Sequence, residues 1–395
     1  MPGPLEGIRV LDLTIAQQGP YATLLLADMG ADVIKIERPA VGEVGRMLGI
    51  DRNTGFSAYF LAINRGKKSL TLDLGKPASR DVLLRLARDS DVVAHNFRGG
   101  VMERLGLGYD AFREANPAII YAQATAFGSK GPMATKPGND ILAQALSGLM
   151  SVTGDTEAPV PAGAALADHI SALTMALGIV SALVARGRTG LGQRVDTSLL
   201  GSMLAAQSWE LTHYMMTREM PPKAGRGHTH LLWQWYTYRT ADGWLAIGGV
   251  DPSRWGRFCA AIDRPDLETD DRYDNPGKRI RDRAELNDLL DEHFATRPTS
   301  GWMAALEAAD IFCAPVLDYD QVTSHEQVAA NGYMVEVDHP KLGPTRVIPT
   351  PIAFSDTPAS CADPEPMLSA HSDAVLASFG FSEAEIADLR RTGVV

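Results

Sequence analysis

Residues 8–36 read IRVLDLTIAQQGPYATLLLADMGADVIKI, and this stretch decides the fold class. Ile8–Leu13 is a short apolar run rich in β-branched residues, which predicts a strand. Gly19–Pro20 opens a helix over Tyr21–Met29, with proline suited to a first turn and Gly30 placed to close it. Ala31–Ile36 (ADVIKI) is the next strand. The alternation continues: Ser69–Leu74 is a strand, and Pro77–Arg88 is a helix with Val82, Leu83, Leu86 and Ala87 at helical spacing. Asp91–Asn96 and Ala118–Ala124 are two further strands. Alternation of this kind specifies an α/β fold, a parallel sheet with helices on both faces. Ligands of such sheets bind at the carboxyl ends of the strands.

Outward from there the pattern changes. Asp140–Met150 and Asp168–Arg186 read as mostly apolar helices, Arg188–Arg194 as a turn, and Val195–Gln207 as a further helix. Residues 221–230 collect Pro, Gly, Lys, Arg and His and read as a linker. Tyr236–Arg239 and Trp244–Ile247, joined by Thr240-Ala241-Asp242-Gly243, predict a hairpin with an Asp-Gly turn. Helical segments around 254–262, 283–294 and 302–309 make this a second, α+β domain, and 372–391 forms a closing helix pair. The 395 residues exceed one domain. A net charge of −11 argues against a chain-wide binder of nucleic acid or anionic membrane, though not against a local cationic cleft. Cys259, Cys313 and Cys361 are odd in number and far apart, so neither a disulfide framework nor a structural zinc site is expected. The opening residues carry no basic stretch followed by an apolar one, so a cytoplasmic location is expected. Ile170–Ala185 is shorter than the ~20 residues of a membrane span and reads as a buried helix.

Phosphate-binding fingerprints fail. Gly66-Lys67-Lys68-Ser69 lacks the earlier glycine of a P-loop, since position 61 is leucine, and Gly106-Leu107-Gly108 is followed by Ala111 where the dinucleotide motif needs glycine. What remains lies at strand ends: Gln17 and Gln18 after the first strand, Arg38 after the second, Asn96, Phe97 and Arg98 after the Asp91 strand, and Arg104 beyond them. Guanidinium groups there suit phosphate oxygens. Phe97 serves equally well as a core aromatic.

These residues sit inside long runs, among them GIRVLDLT, LADMGADVIKIERP, NRGKKSLTLDL, DVVAHNFRGGVMERLGLGYD, PVPAGAALADHISALTMALGIVSAL, RTGLGQRVDTSLL and DGWLAIGG. Together they resemble the class III CoA-transferases, the family that includes formyl-CoA transferase, carnitine-type CoA-transferases and the α-methylacyl-CoA racemases. The resemblance covers essentially the whole chain. It implies a Rossmann-like large domain built from residues 1–220 and 326–395, a smaller domain at 221–325, and an obligate interlocked homodimer. The implied substrates are an acyl-CoA and a free carboxylic acid. No metal, no tightly bound cofactor beyond coenzyme A itself, no nucleic acid and no membrane span are expected. Gln17 would line the thioester end, while Arg38, Leu72, Lys76, Asn96, Phe97 and Arg104 would cradle the adenine, ribose and phosphates. Gly248 and Gly249 match a glycine-rich loop near the active site, and also suit a turn that ends a strand.

The family's catalytic carboxylate falls on Asp168, at the start of an apolar helix. As a residue Asp168 also suits a helix N-cap. Helix-terminal amides are expected to keep it ionised and nucleophilic. It would attack the acyl-CoA carbonyl and pass through an aspartyl anhydride and an aspartyl-CoA thioester. The racemase branch needs a histidine in a Gly-His-Asp triplet, which here is Gly138-Asn139-Asp140. Asn139 exchanges no proton at neutral pH, so transfer is favoured over racemisation. A non-catalytic CoA-binding protein is the third reading, and the retained Asp168 speaks against it. Asp140 reads as a hydrogen-bonding group behind the site or as a buried helix-start aspartate, and His169 as structural.

Overall fold

Strand β1 (Arg9–Asp12) lies at the middle of a six-stranded sheet, with Val10 beside Val33 of β2 (Asp32–Glu37) on one edge and Val92 of β4 (Val92–His95) on the other. With β3 (Lys68–Thr71), β5 (Ile120–Thr125) and β6 (Arg194–Ser198) the order is β3-β2-β1-β4-β5-β6, all parallel. In this doubly wound order the connections reverse between β1 and β4, which opens a crevice at their carboxyl ends. The computed structural model describes residues 2–155, 157–361 and 363–395.

Helix α1 (Gln18–Asp28) follows β1 with Pro20 in its first turn, and Gly30, at a φ of 97°, turns the chain into β2. Helices α2 (Ala58–Asn64) and α3 (Pro77–Arg88) flank β3. On one sheet face, Leu11, Ile34, Leu70 and Leu72 pack with Leu83 and Leu86 of α3 and with Val375, Leu376 and Ile386 from the end of the chain. On the other, Val10, Val33, Val92 and Ile120 pack with Leu25 and Leu26 of α1 and with Ala172, Met175, Ala176 and Ile179 of α5 (Leu166–Thr189).

Two sequence expectations change here. The helix expected over Val195–Gln207 begins as strand β6, because the β-branched Val195 and Thr197 complete the ladder along β5, and only Leu199–Ala206 (α6) is helical. The helix expected over Asp140–Met150 is cut: α4 (Asp140–Leu146) stops before Gly148, whose φ of 86° takes the chain out of helix. Helix α5 is apolar and long enough to cross a membrane by length and composition alone. It is not wholly buried as expected. Small residues on one side pack on the sheet, while Leu173, Leu177 and Val184 stay exposed.

The chain divides into two units. The first takes the chain up to Ser147, Ala162–Ala206 and Glu326–Val395, and the second takes Gly148–Pro161 and Gln207–His325. The second unit therefore starts at 207 rather than 221 and includes a short earlier excursion. It holds the expected hairpin, β7 (Trp235–Arg239) and β8 (Trp244–Gly248), extended by β9 (Cys313–Pro315), over a core that includes Tyr238, Phe258, Phe294 and Trp302.

Candidate active site

The turn after β1 is built by buried polar groups. Asp12 accepts from the Thr14 amide at 2.9 Å, from Thr23 Oγ1 at 2.8 Å and from Lys67 Nζ at 3.0 Å, while Lys35 Nζ donates to the Thr14 carbonyl at 2.9 Å. Burial pushes the Asp12 carboxyl up, but Lys35 and Lys67 outweigh it and hold the group well below the usual carboxylate range. Above this base the chain turns at Ala16, whose φ is 60°. Asn96 grips the turn through both amide atoms: Oδ1 accepts from Ile15 N and Nδ2 donates to Ile15 O, each at 2.8 Å. Buried Glu43 accepts from Ala16 N at 3.0 Å. Gly19 admits no side chain, since a Cβ would lie 2.4 Å from Thr14. Gln17 and Gln18 are thereby fixed. Gln17 Nε2 lies 3.1 Å from His169 Nδ1, and Gln18 Nε2 donates to Ser171 Oγ at 2.6 Å. His169 packs its ring edge-on to Tyr21, with 4.6 Å between centroids, which makes it a support for Gln17.

Asp168 is the third residue of α5, beyond the usual capping place. Its carboxylate has no hydrogen-bond partner among the described residues, and the cap is supplied from elsewhere. Asp140 Oδ2 accepts from Ala167 N at 2.7 Å and from Asp168 N at 3.2 Å. The expectation that helix amides hold Asp168 ionised is thus corrected, because Asp140 already occupies two of those amides. Burial, and then the Asp140 charge, raise Asp168 to about 7.

Asp168 lines a cavity of about 520 Å³ together with Gln17, Gln18, Asn96, Phe97, Arg104 and Asn139. An adjoining cavity of about 470 Å³ is lined by Arg38, Leu72, Glu43 and Met47, and the two share Ile15, Phe97 and Val101. Phe97 is the common wall and stacks on the ring of His95, 6.0 Å away. His95 is fully buried with neither ring nitrogen paired, and burial pulls it down to about 3, so it stands neutral in the core. Arg38, Arg98, Arg104 and Lys136 line these cavities without a carboxylate partner among the described residues.

Other candidates lie elsewhere. Lys76 donates its ammonium to the Thr392 carbonyl and lines neither cavity, although Leu74 and Gly75 before it do line the second. Gly248 and Gly249 belong to the second unit, beside a separate cavity of about 460 Å³ with Trp233, Trp235 and Phe312. Two arginines of the right chemistry to hold a substrate carboxylate are already paired: Arg46 with Glu37 at 2.7 Å, and Arg226 with Asp291. The sequence reading missed Glu43, Lys136 and Tyr59. Burial, Asp168 and Glu43 raise the Tyr59 phenol above its ordinary value, which places it in the same electrostatic neighbourhood. No spacing in the sequence marks it. Among the described residues no three His, Cys, Asp or Glu side chains converge to hold a metal ion.

A half-buried carboxylate without a hydrogen-bond partner among the described residues thus lies beside a cationic cleft at the strand ends of a doubly wound sheet, where enzymes of this fold class bind their ligands. The chain matches the family "CoA-transferase family III" over residues 5–372, and it belongs to that family. It is 34% identical over 394 residues to the succinyl-CoA:glutarate CoA-transferase of Mus musculus, covering 99% of this chain and 90% of that one. It is 35% identical over 379 residues to the succinyl-CoA:mesaconate CoA-transferase of Haloarcula hispanica, covering 93% of this chain and 94% of the other. Among solved structures, a CAIB/BAIF family protein from Brucella suis superposes with a TM-score of 0.86 at 30% identity, over 96% of this chain and all of that one.

Proposed function

We propose that this enzyme transfers coenzyme A from an acyl-CoA to a free carboxylic acid, with Asp168 as the nucleophile. The observation that carries the reading is the Asp168 carboxylate, which lines the strand-end cavity with no hydrogen-bond partner among the described residues to quench it. Asp168 attacks the thioester carbonyl, forming a mixed anhydride and releasing CoA thiolate. The thiolate attacks the aspartyl carbonyl, leaving an aspartyl-CoA thioester and the donor acid. The acceptor carboxylate then attacks the same carbonyl and expels thiolate, which attacks the acceptor acyl carbon to give the new acyl-CoA and free Asp168. Gln17 stands beside the reacting carbonyl. Arg38, Leu72, Phe97 and Arg104 hold the CoA along the two adjoining cavities. Lys76 reaches a phosphate only after leaving Thr392, and Asn96 acts by holding Ile15. For Gly248 and Gly249, which belong to the second unit, the support for a loop role is their likeness to the family's glycine-rich loop alone.

Short dicarboxylic acids are the proposed donor and acceptor class, as the names of the mouse and Haloarcula relatives give it for those proteins. An interlocked homodimer is part of the reading. Its support is the exposed apolar surface of Ile141, Leu142, Leu146, Leu173, Leu177 and Leu204 on α4, α5 and α6. The three free cysteines accord with a reducing compartment, the cytoplasm. The test is incubation with succinyl-CoA and hydroxylamine, then peptide mass spectrometry. A hydroxamate on Asp168, together with loss of exchange in a folded Asp168→Ala protein, supports the mechanism. An active Asp168→Ala protein removes it.

A further inference from the structure

Gln144 is fully buried in α4, one turn after Asp140, and its amide is used in both directions. Nε2 donates to Asp140 Oδ1 at 2.5 Å, and Oε1 accepts from Ala162 N at 2.9 Å. The other Asp140 oxygen caps Ala167 N and Asp168 N. A helix normally caps itself from its own N-cap residue, but here that residue is Ala165, which has no polar side chain. The start of α5 is therefore held from α4. The same glutamine pins the chain entering the helix and orients the carboxylate that caps it.

We infer that Gln144 is a positioning residue for the nucleophile: by fixing Asp140 on the α5 amides, it leaves the Asp168 carboxylate in the cavity with no donor of its own and with a like charge at its back. This rests on the reading of Asp168 as the nucleophile. The other ionisable groups around Asp168 are Tyr59 from α2, His169 from α5 itself, and Arg98, Arg104 and Lys136 along the same cavity. His169 Nδ1 lies 3.1 Å from both Ala165 O and Gln17 Nε2 and serves one of them according to its tautomer, and the three cations also face the place of an anionic ligand. Asp140 is the group whose charge is locked in position. A carboxylate so placed stays a strong nucleophile, because no hydrogen bond must be broken before attack.

The direction of the Gln144 amide supplies the test. Asp140→Asn must turn its oxygen to the α5 amides, which sets its Nδ2 against Gln144 Nε2, donor against donor. Adding Gln144→Glu restores every bond, since the introduced carboxylate accepts from both the new asparagine and Ala162 N, and the negative charge moves one turn away from Asp168. The full-length enzyme, single variant and double variant are compared by thermal unfolding and by kcat/KM for CoA exchange against pH. The expected result is a lowered Tm in Asp140→Asn that the double variant recovers. In that stable double variant the acid limb should still lie about one pH unit below wild type. A recovered Tm with a wild-type acid limb overturns the inference, and so does a double variant no more stable than the single one. Asp168→Ala run in parallel separates the two claims: residual exchange there refutes the nucleophile, whatever the Tm pattern shows.

Discussion

The carboxylate proposed as the nucleophile should also make the protein less stable, and Asp168→Asn measures by how much. Asp168 rises from 3.8 to about 7 in the folded chain through burial and the Asp140 charge. Between those values the folded state binds a proton that the unfolded state has lost. Wild-type stability therefore falls as pH rises from about 4 to about 7, and the whole penalty is present above 7. At ~1.4 kcal/mol per unit the shift is worth ~4 kcal/mol as an upper bound. Partial solvent access and the unpaired amide of the replacement reduce the net gain to about 1–3 kcal/mol. Asp168→Asn should thus be more stable than wild type by about that amount at pH 8, while losing CoA exchange. The gain should shrink steadily below pH 7 and vanish near pH 4. Urea unfolding at matched protein concentration, repeated at pH 4, 6 and 8, reads the difference directly. A constant difference across the three pH values would refute the argument, because a packing effect does not titrate.

Three further outcomes are expected. Exchange by the wild-type enzyme should show an acid limb near pH 7, rising with pH as Asp168 ionises; a rate independent of pH between 5.5 and 8 would contradict it. Asn96→Leu removes both hydrogen bonds that hold Ile15, and should cost about 2–3 kcal/mol in urea unfolding and at least ~10-fold in kcat through displacement of Gln17. Asp28→Asn strips the buried Arg65 guanidinium of its carboxylate partner, and should destabilise by about 3–5 kcal/mol while leaving the KM for acyl-CoA unchanged in the folded fraction.

How much of this was legible in the chain can be argued element by element. The first five strands of the sheet were legible because they are short, rich in apolar residues and separated by helical segments, so that local composition and final environment agree. Strand β6 was not. Arg194–Ser198 carries polar residues at an edge, and only the partner strand β5 makes it a strand. The helix break at Gly148 was hidden among good helix formers. That Asp168 lies in the first turn of an apolar helix was legible, but its electrostatics were not. Aspartate near a helix start is ordinarily the cap, and the residue that takes that duty lies 28 positions earlier, on another helix. Nothing in spacing announces a cap supplied across the fold. The pairing of Arg46 is hidden in the same way, since its partner, buried Glu37, comes from strand β2.

The unpaired cations sharpen this point. Arg46 and Arg226 are both neutralised, by Glu37 and Asp291. Arg38, Arg98, Arg104 and Lys136 have no carboxylate partner among the described residues along the two cavities that meet at Phe97. A protein with a net charge of −11 has acid to spare, so four such cations along one cleft support the proposal that the negative charge of the ligand lies there. At Asp168 itself burial and the Asp140 charge raise the carboxyl to about 7. A bound polyanion would consume the cations and leave Asp168 beside the thioester with a like charge at its back. Exchange should accordingly weaken with ionic strength through KM for acyl-CoA, with kcat little changed. A salt effect confined to kcat would place the cations in the chemistry rather than in binding.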